Sequence, residues 1–258
     1  QVIKDRLIET NEEIYWFPDH LKHGRFLHTI ESAPDWTISR NRYWASPIPV
    51  WKNSAGELLF IDSVEKLRKH LKTSNNTYTV MRHGESVSNH ENIISSVKEN
   101  PHPLTPKGIE EAETVAADLK KKKIDVIYAS PLLRTTETAK IVAKEIGIDE
   151  KDIVFDERIT EINLGELNLK PIDEYRTFAP TYKERFEIRP KGAGAENLTD
   201  VRKRAGAFLS EIDREHKDKN VLIVTHEYVT WMLDAIARGR SKEETIEDKL
   251  GRDDYVKT

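Results

Sequence analysis

At 258 residues, with a net charge of -4 and a pI near 6.2, the chain is long enough for one large or two modest domains. Its charge gives no bulk attraction to nucleic acid or to an anionic membrane, and the absence of cysteine excludes disulfides and thiolate metal sites. No apolar run approaches the ~20 residues that span a bilayer, and QVIKDRLIETNEE at the start carries no signal-peptide core, so a cytoplasmic location without a membrane partner is expected. The first residue is not Met, and the chain stops on polar Tyr255-Val256-Lys257-Thr258; both read as a piece of a longer polypeptide.

From Gln1 to about Lys72 the texture is aromatic, with four of the five tryptophans at Trp16, Trp36, Trp44 and Trp51. Aromatics this dense form either a small stapled core or a docking surface. His20, His23 and His28 lack cysteine or a convincing carboxylate set beside them, so no metal is assigned. The central passage is DWTISRNRYWASPIPVW, Asp35 to Trp51, followed by a Gly-Glu turn, a strand-like Leu58 to Ile61 and a helix-like Ser63 to Leu71.

That passage closely resembles isoleucyl-tRNA synthetase, departing at Ala45 where the family has Gly. The resemblance implies a small α+β fragment of a class I catalytic region, with Trp36, Ser39, Arg40, Arg42, Tyr43 and Trp44 in a run that lines the synthetic site. It also implies a parent isoleucine-tRNA ligase using ATP and Mg and binding tRNA through parts not in this sequence. Neither the HIGH-type nor the KMSKS-type signature that positions ATP occurs in the 258 residues, so the fragment alone is not expected to aminoacylate.

Lys72 to Asn76, KTSNN, is polar and without apolar periodicity; residues 73-76 read as the junction. Beyond it, strand and helix patterns alternate, which predicts an α/β domain over 77-240: a parallel-rich sheet with helices on both faces. Tyr78 and Val80 lead a strand into Arg82-His83-Gly84, so a cation, an imidazole and a residue without Cβ stand at a strand end, where α/β sheets bind ligands. Thr105-Pro106 signals a helix start, with Ile109, Ala112, Val115, Ala116 and Leu119 on one face and Lys120 to Lys123 at its end.

A second strand, Ile124 to Ala129, precedes Ser130-Pro131, read as the cap of a helix carrying Arg134 in its first turn. Asp152 to Asp156 reads as a third strand, and Gly165 to Leu198 as a loop-rich excursion bearing Arg176, Lys183, Arg185, Arg189 and Lys191, either a lid or solvated surface. Thr199 is read as the cap of the next helix, which delivers the chain to a buried strand ending on Thr225-His226. The tail 241-258 is charged and expected to fray.

RHGES with Asn89 behind it, LTPKG at Leu104 to Gly108, SPLLRTTETA at Ser130 to Ala139, RITEINLG at Arg158 to Gly165 and VTHE at Val224 to Glu227 together resemble the histidine phosphatase superfamily, which includes the cofactor-dependent phosphoglycerate mutases. The resemblance implies a phosphoglycerate mutase-like fold and a site that hydrolyses a small phosphorylated substrate without a cofactor. In it His83 attacks phosphorus, Arg82, Arg134, Asn89 and His226 cradle the phosphoryl group, and Glu161 is the acid, ranked above Glu157 and Glu166. A hydrolase is preferred to a mutase because the excursion after Gly165 is short. Glu227 stands where many members have Gly and faces either the rim or solvent. Nothing in the residues names the substrate or an oligomeric state.

Overall fold

The structure, a computed structural model, describes residues 2-33, 50-63, 66, 74-99 and 101-251. The chain divides into two compact units, Gln1-Leu71 and Lys72-Thr258. In the first, helix α1 (Val2-Glu13) and the short α2 (Leu27-Ser32) are tied by Lys4, which donates to the Glu31 and Ala33 carbonyls. Asn11 is buried and links the two ends of the intervening loop. Its amide donates to the Lys22 carbonyl while its oxygen accepts the Trp16 indole N-H, and Trp16 packs on Phe26 with ring centroids 4.6 Å apart.

Strands β1 (Val50-Lys52) and β2 (Leu58-Phe60) form an antiparallel hairpin turned at Gly56, whose φ of 86° suits a residue without Cβ. Of the three histidines in this unit, His23 lies 3.5 Å from Glu12. The synthetase-like Trp36, Ser39, Arg40, Arg42, Tyr43 and Trp44, and nearly all of the Ser63-Leu71 helix, lie outside the described residues.

The second unit is built on four parallel strands in the order β3 (Thr77-Arg82), β6 (Asn220-Thr225), β4 (Val126-Ala129), β5 (Val154-Phe155). β6 is central because its VLIV run is apolar on both faces. Val221 and Ile223 face one core with Tyr128, Phe208, Ile212 and Met232, while Leu222 and Val224 face the other with Ile127, Ala129, Ala139 and Val142. Helices α8 (Leu198-Glu215) and α9 (Glu227-Ala237) supply the first layer; α4 (Pro106-Leu119) and α5 (Leu133-Ile146) supply the second. The fold is thus the expected parallel α/β sheet with helices on both faces.

Several local expectations change. Thr105 does cap α4, accepting the Gly108 N-H, with Pro106 in its first turn; Ala112, Ala116 and Leu119 are buried, but Ile109 and Val115 are partly exposed, at 42% and 40%. α5 is capped at Leu132 with no side-chain acceptor, because the Ser130 hydroxyl is engaged elsewhere. α8 starts two residues earlier than Thr199 implies. Asn197 and Asp200 form a reciprocal capping box, and Thr199 instead donates to the Phe186 carbonyl. The third strand contracts to two residues, since Asp149 caps a helical turn over Glu150-Asp152.

The excursion 165-198 folds into α6 (Ile172-Phe178) and α7 (Tyr182-Glu187), anchored by the buried Tyr175 and Phe186, so it belongs to the core as well as the surface. The supposed tail holds a helix, α10 (Lys242-Gly251). Its Thr245 is fully buried, and Arg240 bonds Asp248 at 2.7 Å. Lys249 is nearly covered against the Trp231 ring.

Candidate active site

Parallel strands bring their C-terminal ends to one edge, and three neighbouring ends supply the centre. His83 follows β3, Ser130 follows β4 and His226 follows β6; the ladders run one step past the strands, with His83 N-H on the Thr225 carbonyl and Ser130 N-H on the Val224 carbonyl, each at 3.0 Å. A residue fixed by a ladder hydrogen bond has little freedom to move its side chain away. His83, Ser130 and His226 are all buried.

The chain turns away from β3 through Gly84, and only glycine fits. A Cβ there would sit 2.1 Å from the Gly108 carbonyl oxygen, and one on Gly108 would sit 1.9 Å from the Glu85 carbonyl oxygen. The two glycines let the first turn of α4 press against the RHG segment. Gly84 N-H is held by Thr138 on α5, completing the frame around His83.

Arg134, in the first turn of α5, is the hub. Its Nε donates to His83 Nε2 over 2.9 Å, and one Nη lies 3.2 Å from His226 Nδ1 and 2.8 Å from the Ser95 carbonyl. The two imidazole centroids are 5.1 Å apart at 63°, so residues separated by most of the domain's sequence share one centre. Burial pulls the Arg134 guanidinium down to about 10, which leaves it charged and donating at neutral pH. Burial is also the largest cause holding both imidazoles well below the usual histidine range; Arg134 comes second and Arg82 contributes.

Glu161 lies in the loop between β5 and α6. Its pKa is raised, first by burial and in part by Glu227; the Ile162 N-H on its carboxylate, Arg134 and Arg82 act the other way. The alternatives stand apart: Glu157 is an exposed partner of Lys98, and Glu166 is exposed. Arg82 is less enclosed, with its side chain 44% exposed and 3.6 Å from Glu227. Glu227 therefore sits at the rim beside Arg82 with its side chain 39% exposed, and it also lies 3.8 Å from Lys249.

Asn89 uses its side-chain oxygen to accept from Ser86 N-H and Oγ, capping the short helix α3 (Val87-His90). It also lines a cavity of about 600 Å³ with Arg82, His83, Glu85, Lys107 and Glu111. Arg134 and His226 are not among its walls, so the cavity borders the polar centre on the α4 side and does not enclose it.

Sequence reasoning passed over Ser95 and His102 and read Ser130 only as a helix cap. Ser95 accepts from Arg134, and its hydroxyl meets His102 Nδ1 at 2.9 Å. Its segment has no periodicity, although it is pinned to 168-172 by backbone bonds from Ile94, Leu169 and Ile172. Among the described residues, no group of three or more His, Asp or Glu is placed to hold a metal ion. No described helix is long and apolar enough to cross a membrane.

Residues 1-100 match the class I tRNA synthetases (I, L, M and V). Isoleucine-tRNA ligase of Chlamydia abortus is 55% identical over 67 residues, covering 26% of this chain and 6% of the ligase; that of Chlamydia pneumoniae is 48% identical over the same length. The chain thus spans about 6% of the length of these relatives. The synthetase match overlaps a second one at 78-100, where the pairing of β3 with β6 puts residues 78-82 in the second unit.

Among solved structures, Bacillus stearothermophilus YhfR is 31% identical with a TM-score of 0.56, covering 66% of this chain and 83% of its own. A mycobacterial glucosyl-3-phosphoglycerate phosphatase (21% identity, TM-score 0.56, 65% and 82% covered) and the alpha-ribazole phosphatase of Shigella flexneri (23%, 0.55, 65% and 82%) share the fold. Residues 78-250, a span that includes the strand-end histidines just described, match the histidine phosphatase superfamily (branch 1), and on that match the chain belongs to that family.

Proposed function

We propose that the second unit hydrolyses phosphomonoesters through a phosphohistidine on His83, with no metal. The observation that carries the reading is the polarity of His83. Its Nδ1 lies 2.7 Å from the Gly84 carbonyl, which only accepts, so the proton resides on Nδ1 and the Nε2 lone pair points at the Arg134 guanidinium. A neutral imidazole with a directed lone pair beside an anion-binding fork is what an attack on phosphorus requires.

Arg134 and Arg82 take the phosphoryl oxygens, since a guanidinium gives paired charge-assisted bonds. The His83 Nε2 lone pair forms the N-P bond as the ester P-O bond breaks, and Glu161 gives its proton to the departing alkoxide. Glu161, now a carboxylate, takes a proton from water; the water oxygen bonds phosphorus, the N-P bond breaks, and the electron pair returns to Nε2. The sum is ester plus water to alcohol plus phosphate. The raised pKa of Glu161 suits the first of its two roles. Acid-labile labelling of the native protein by a radioactive phosphomonoester, absent in His83→Ala together with at least a ~10³-fold loss of turnover, is the expected result. Hydrolysis undiminished in His83→Ala would remove the reading.

A second reading concerns the polypeptide of origin. The identity over residues of the first unit supports an isoleucine-tRNA ligase parent, using ATP, Mg and tRNA through its other parts, with the phosphatase unit accessory to it. The complete reading frame tests this: ATP-positioning HIGH and KMSKS elements around this segment are expected, and a complete frame without them refutes it.

A further inference from the structure

The carboxyl of Glu161 is steered by its own backbone. Among the described residues, its hydrogen bond comes from the N-H of the next residue, Ile162, at 2.9 Å, so the group points wherever the segment 158-163 carries it. Apart from the helical turn over Glu157-Ile159, that segment has no strand or helix to fix it, and side chains do so instead. Thr225, the residue before His226, donates from its buried hydroxyl to the Ile159 carbonyl at 2.6 Å. Arg204 donates to the Arg158 carbonyl at 2.7 Å and to the Glu161 carbonyl at 3.3 Å. Glu196 accepts the Asn163 N-H at 3.0 Å, and its own N-H donates to the Asn163 carbonyl at 2.7 Å.

Arg204 and Glu196 act as one clasp. The guanidinium meets both carboxylate oxygens, at 2.8 and 3.1 Å, and the two side chains are only 17% and 19% exposed. Their placement is set by α8: Glu196 directly precedes the N-cap Asn197, and Arg204 follows about two turns on, so the capping box fixes where both side chains start. The guanidinium holds the segment at 158 and 161 and the carboxylate holds it at 163, on both sides of the acid. Arg158 differs, since its guanidinium bonds the side chains of Asp156 and Glu211 and not the backbone around Glu161.

We propose that Arg204, braced by Glu196, is the positioning residue of the proton donor, aiming the Glu161 carboxyl at the departing ester oxygen. This rests on the phosphohydrolase reading and adds what holds its acid in place. The effect is one of position. The charges with the largest effect on the Glu161 carboxyl are Arg134 from α5, Arg82 from the end of β3 and Glu227 from α9, and Arg204 is not among them. Arg204 does add to the cations acting on His226, so Glu196→Ala, which keeps the cation, is tested beside Arg204→Ala.

The leaving group separates positioning from stability. An alkyl phosphate needs a proton on its departing oxygen, whereas 4-nitrophenyl phosphate releases a stable phenolate without one. In the full chain, Arg204→Ala and Glu196→Ala should lower kcat/KM for ethyl phosphate by ~10²-fold and leave that for 4-nitrophenyl phosphate within about threefold. Nitrophenolate should then appear in a burst, because a displaced Glu161 also activates water poorly in the second step. Glu196→Gln, which keeps an oxygen for the Asn163 N-H, should recover most of the ethyl phosphate rate; Arg204→Lys should not, since one ammonium cannot span two carbonyls and a carboxylate. Arg158→Ala should keep the native ratio of the two esters.

A second readout needs no turnover. Carbon-13 spectra of the labelled chain, with the Glu161 signal assigned through Glu161→Gln, should show a raised titration in the native protein that falls toward the ordinary carboxyl range in both alanine variants, as the group swings toward water. Equal loss with both esters, an unchanged ester ratio, or an unmoved Glu161 titration overturns the proposal; should Arg204→Ala fail to fold, Glu196→Ala decides alone by the same criteria. A native chain that hydrolyses neither ester, or whose hydrolysis survives His83→Ala, retires the hydrolase reading, and the titration still decides whether the clasp positions the carboxyl, so the two failures are distinguishable.

Discussion

The second unit holds buried or half-buried arginines of two kinds. Arg158 donates to Asp156 and Glu211 at 2.7-3.2 Å, and Arg204 is paired with Glu196 at 2.8 Å while donating to the carbonyls of Arg158 and Glu161. Both are matched by carboxylates and pin the loop that carries Glu161 onto α8. Among the described residues, the hydrogen bonds of Arg134 go to two imidazoles and to Ser95 and none to a carboxylate, and Glu161 acts on its buried charge without a hydrogen bond to it. A saturated cation organises a chain; an unsaturated one is held ready for an anion, at a cost in stability.

Exchanging each kind for alanine gives the largest expected contrast. Arg134→Ala should lower kcat/KM for a phosphomonoester by ~10³-fold while the urea midpoint stays level or rises. Arg134→Lys should recover little, since an ammonium cannot form the paired contacts. Arg158→Ala should keep activity within about tenfold and lose about 1-2 kcal/mol of stability, because Asp156 is left partly buried without its partner. Equal loss of activity in both variants, measured beside urea unfolding, would erase the distinction.

Next in size is the glycine contact that frames His83. Gly84→Ala puts a methyl 2.1 Å from a backbone oxygen, where no flexible side chain can give way. Either α4 or the RHG segment must shift, and a displacement of about 1 Å at a nucleophile costs on the order of 10²-fold in turnover. Stability should fall by about 3 kcal/mol from overpacking. Gly147→Ala offers a control in the same unit: nothing lies within 4 Å of a Cβ there, although its φ of 81° disfavours one, so it should lose stability without losing turnover.

A smaller effect comes from pH. The folded pKa of His83 and His226 lies below the unfolded value of about 6.5, so the unfolded chain binds more protons as pH falls under 6.5. Stability from these two groups is present above pH 6.5 and lost on acidification below it. Glu161 has the opposite sign: its folded pKa is raised, so its contribution is lost as pH rises through that value. Urea unfolding at pH 7.5 and 5.5 should show a drop at the lower pH that shrinks in His83→Asn with His226→Asn; a drop of unchanged size would mean other groups titrate.

The site was legible where one residue type does one job. Histidine after an apolar strand, arginine in the first turn of a helix and a glycine directly after the strand end are each dictated by local chemistry, and the apolar VLIV run marks the central strand; the crossing of Gly84 with Gly108 shows only in the structure. Where a polar residue can serve several partners, the sequence was ambiguous. Ser130 looks like a helix cap beside Pro131, yet its hydroxyl serves His226; Thr199 and Asn197 are both good caps, and the Asn-x-x-Asp spacing was the signal that decided for Asn197. α10 was read as a tail because charge dominates it, while its buried Thr245 and covered Lys249 depend on contacts with α8 and α9 that no local pattern announces.

Asn89 sets the finest test of whether a residue organises the chain or serves the anion, because it stands in both groups. Its oxygen caps α3 through Ser86, leaving the amide nitrogen to donate elsewhere, and the residue lines the cavity beside His83. Asn89→Asp keeps an oxygen for the cap and replaces the donor by a second anionic oxygen. Stability should hold within about 0.5 kcal/mol, since an acid in a helix's first turn is favourable, while KM for a phosphomonoester rises by roughly tenfold. Asn89→Ala should lose both the cap, about 1 kcal/mol, and the donor. If Asp matches the native KM, the side chain serves only the backbone, and the phosphoryl cradle is made by Arg82, Arg134 and His226 without it.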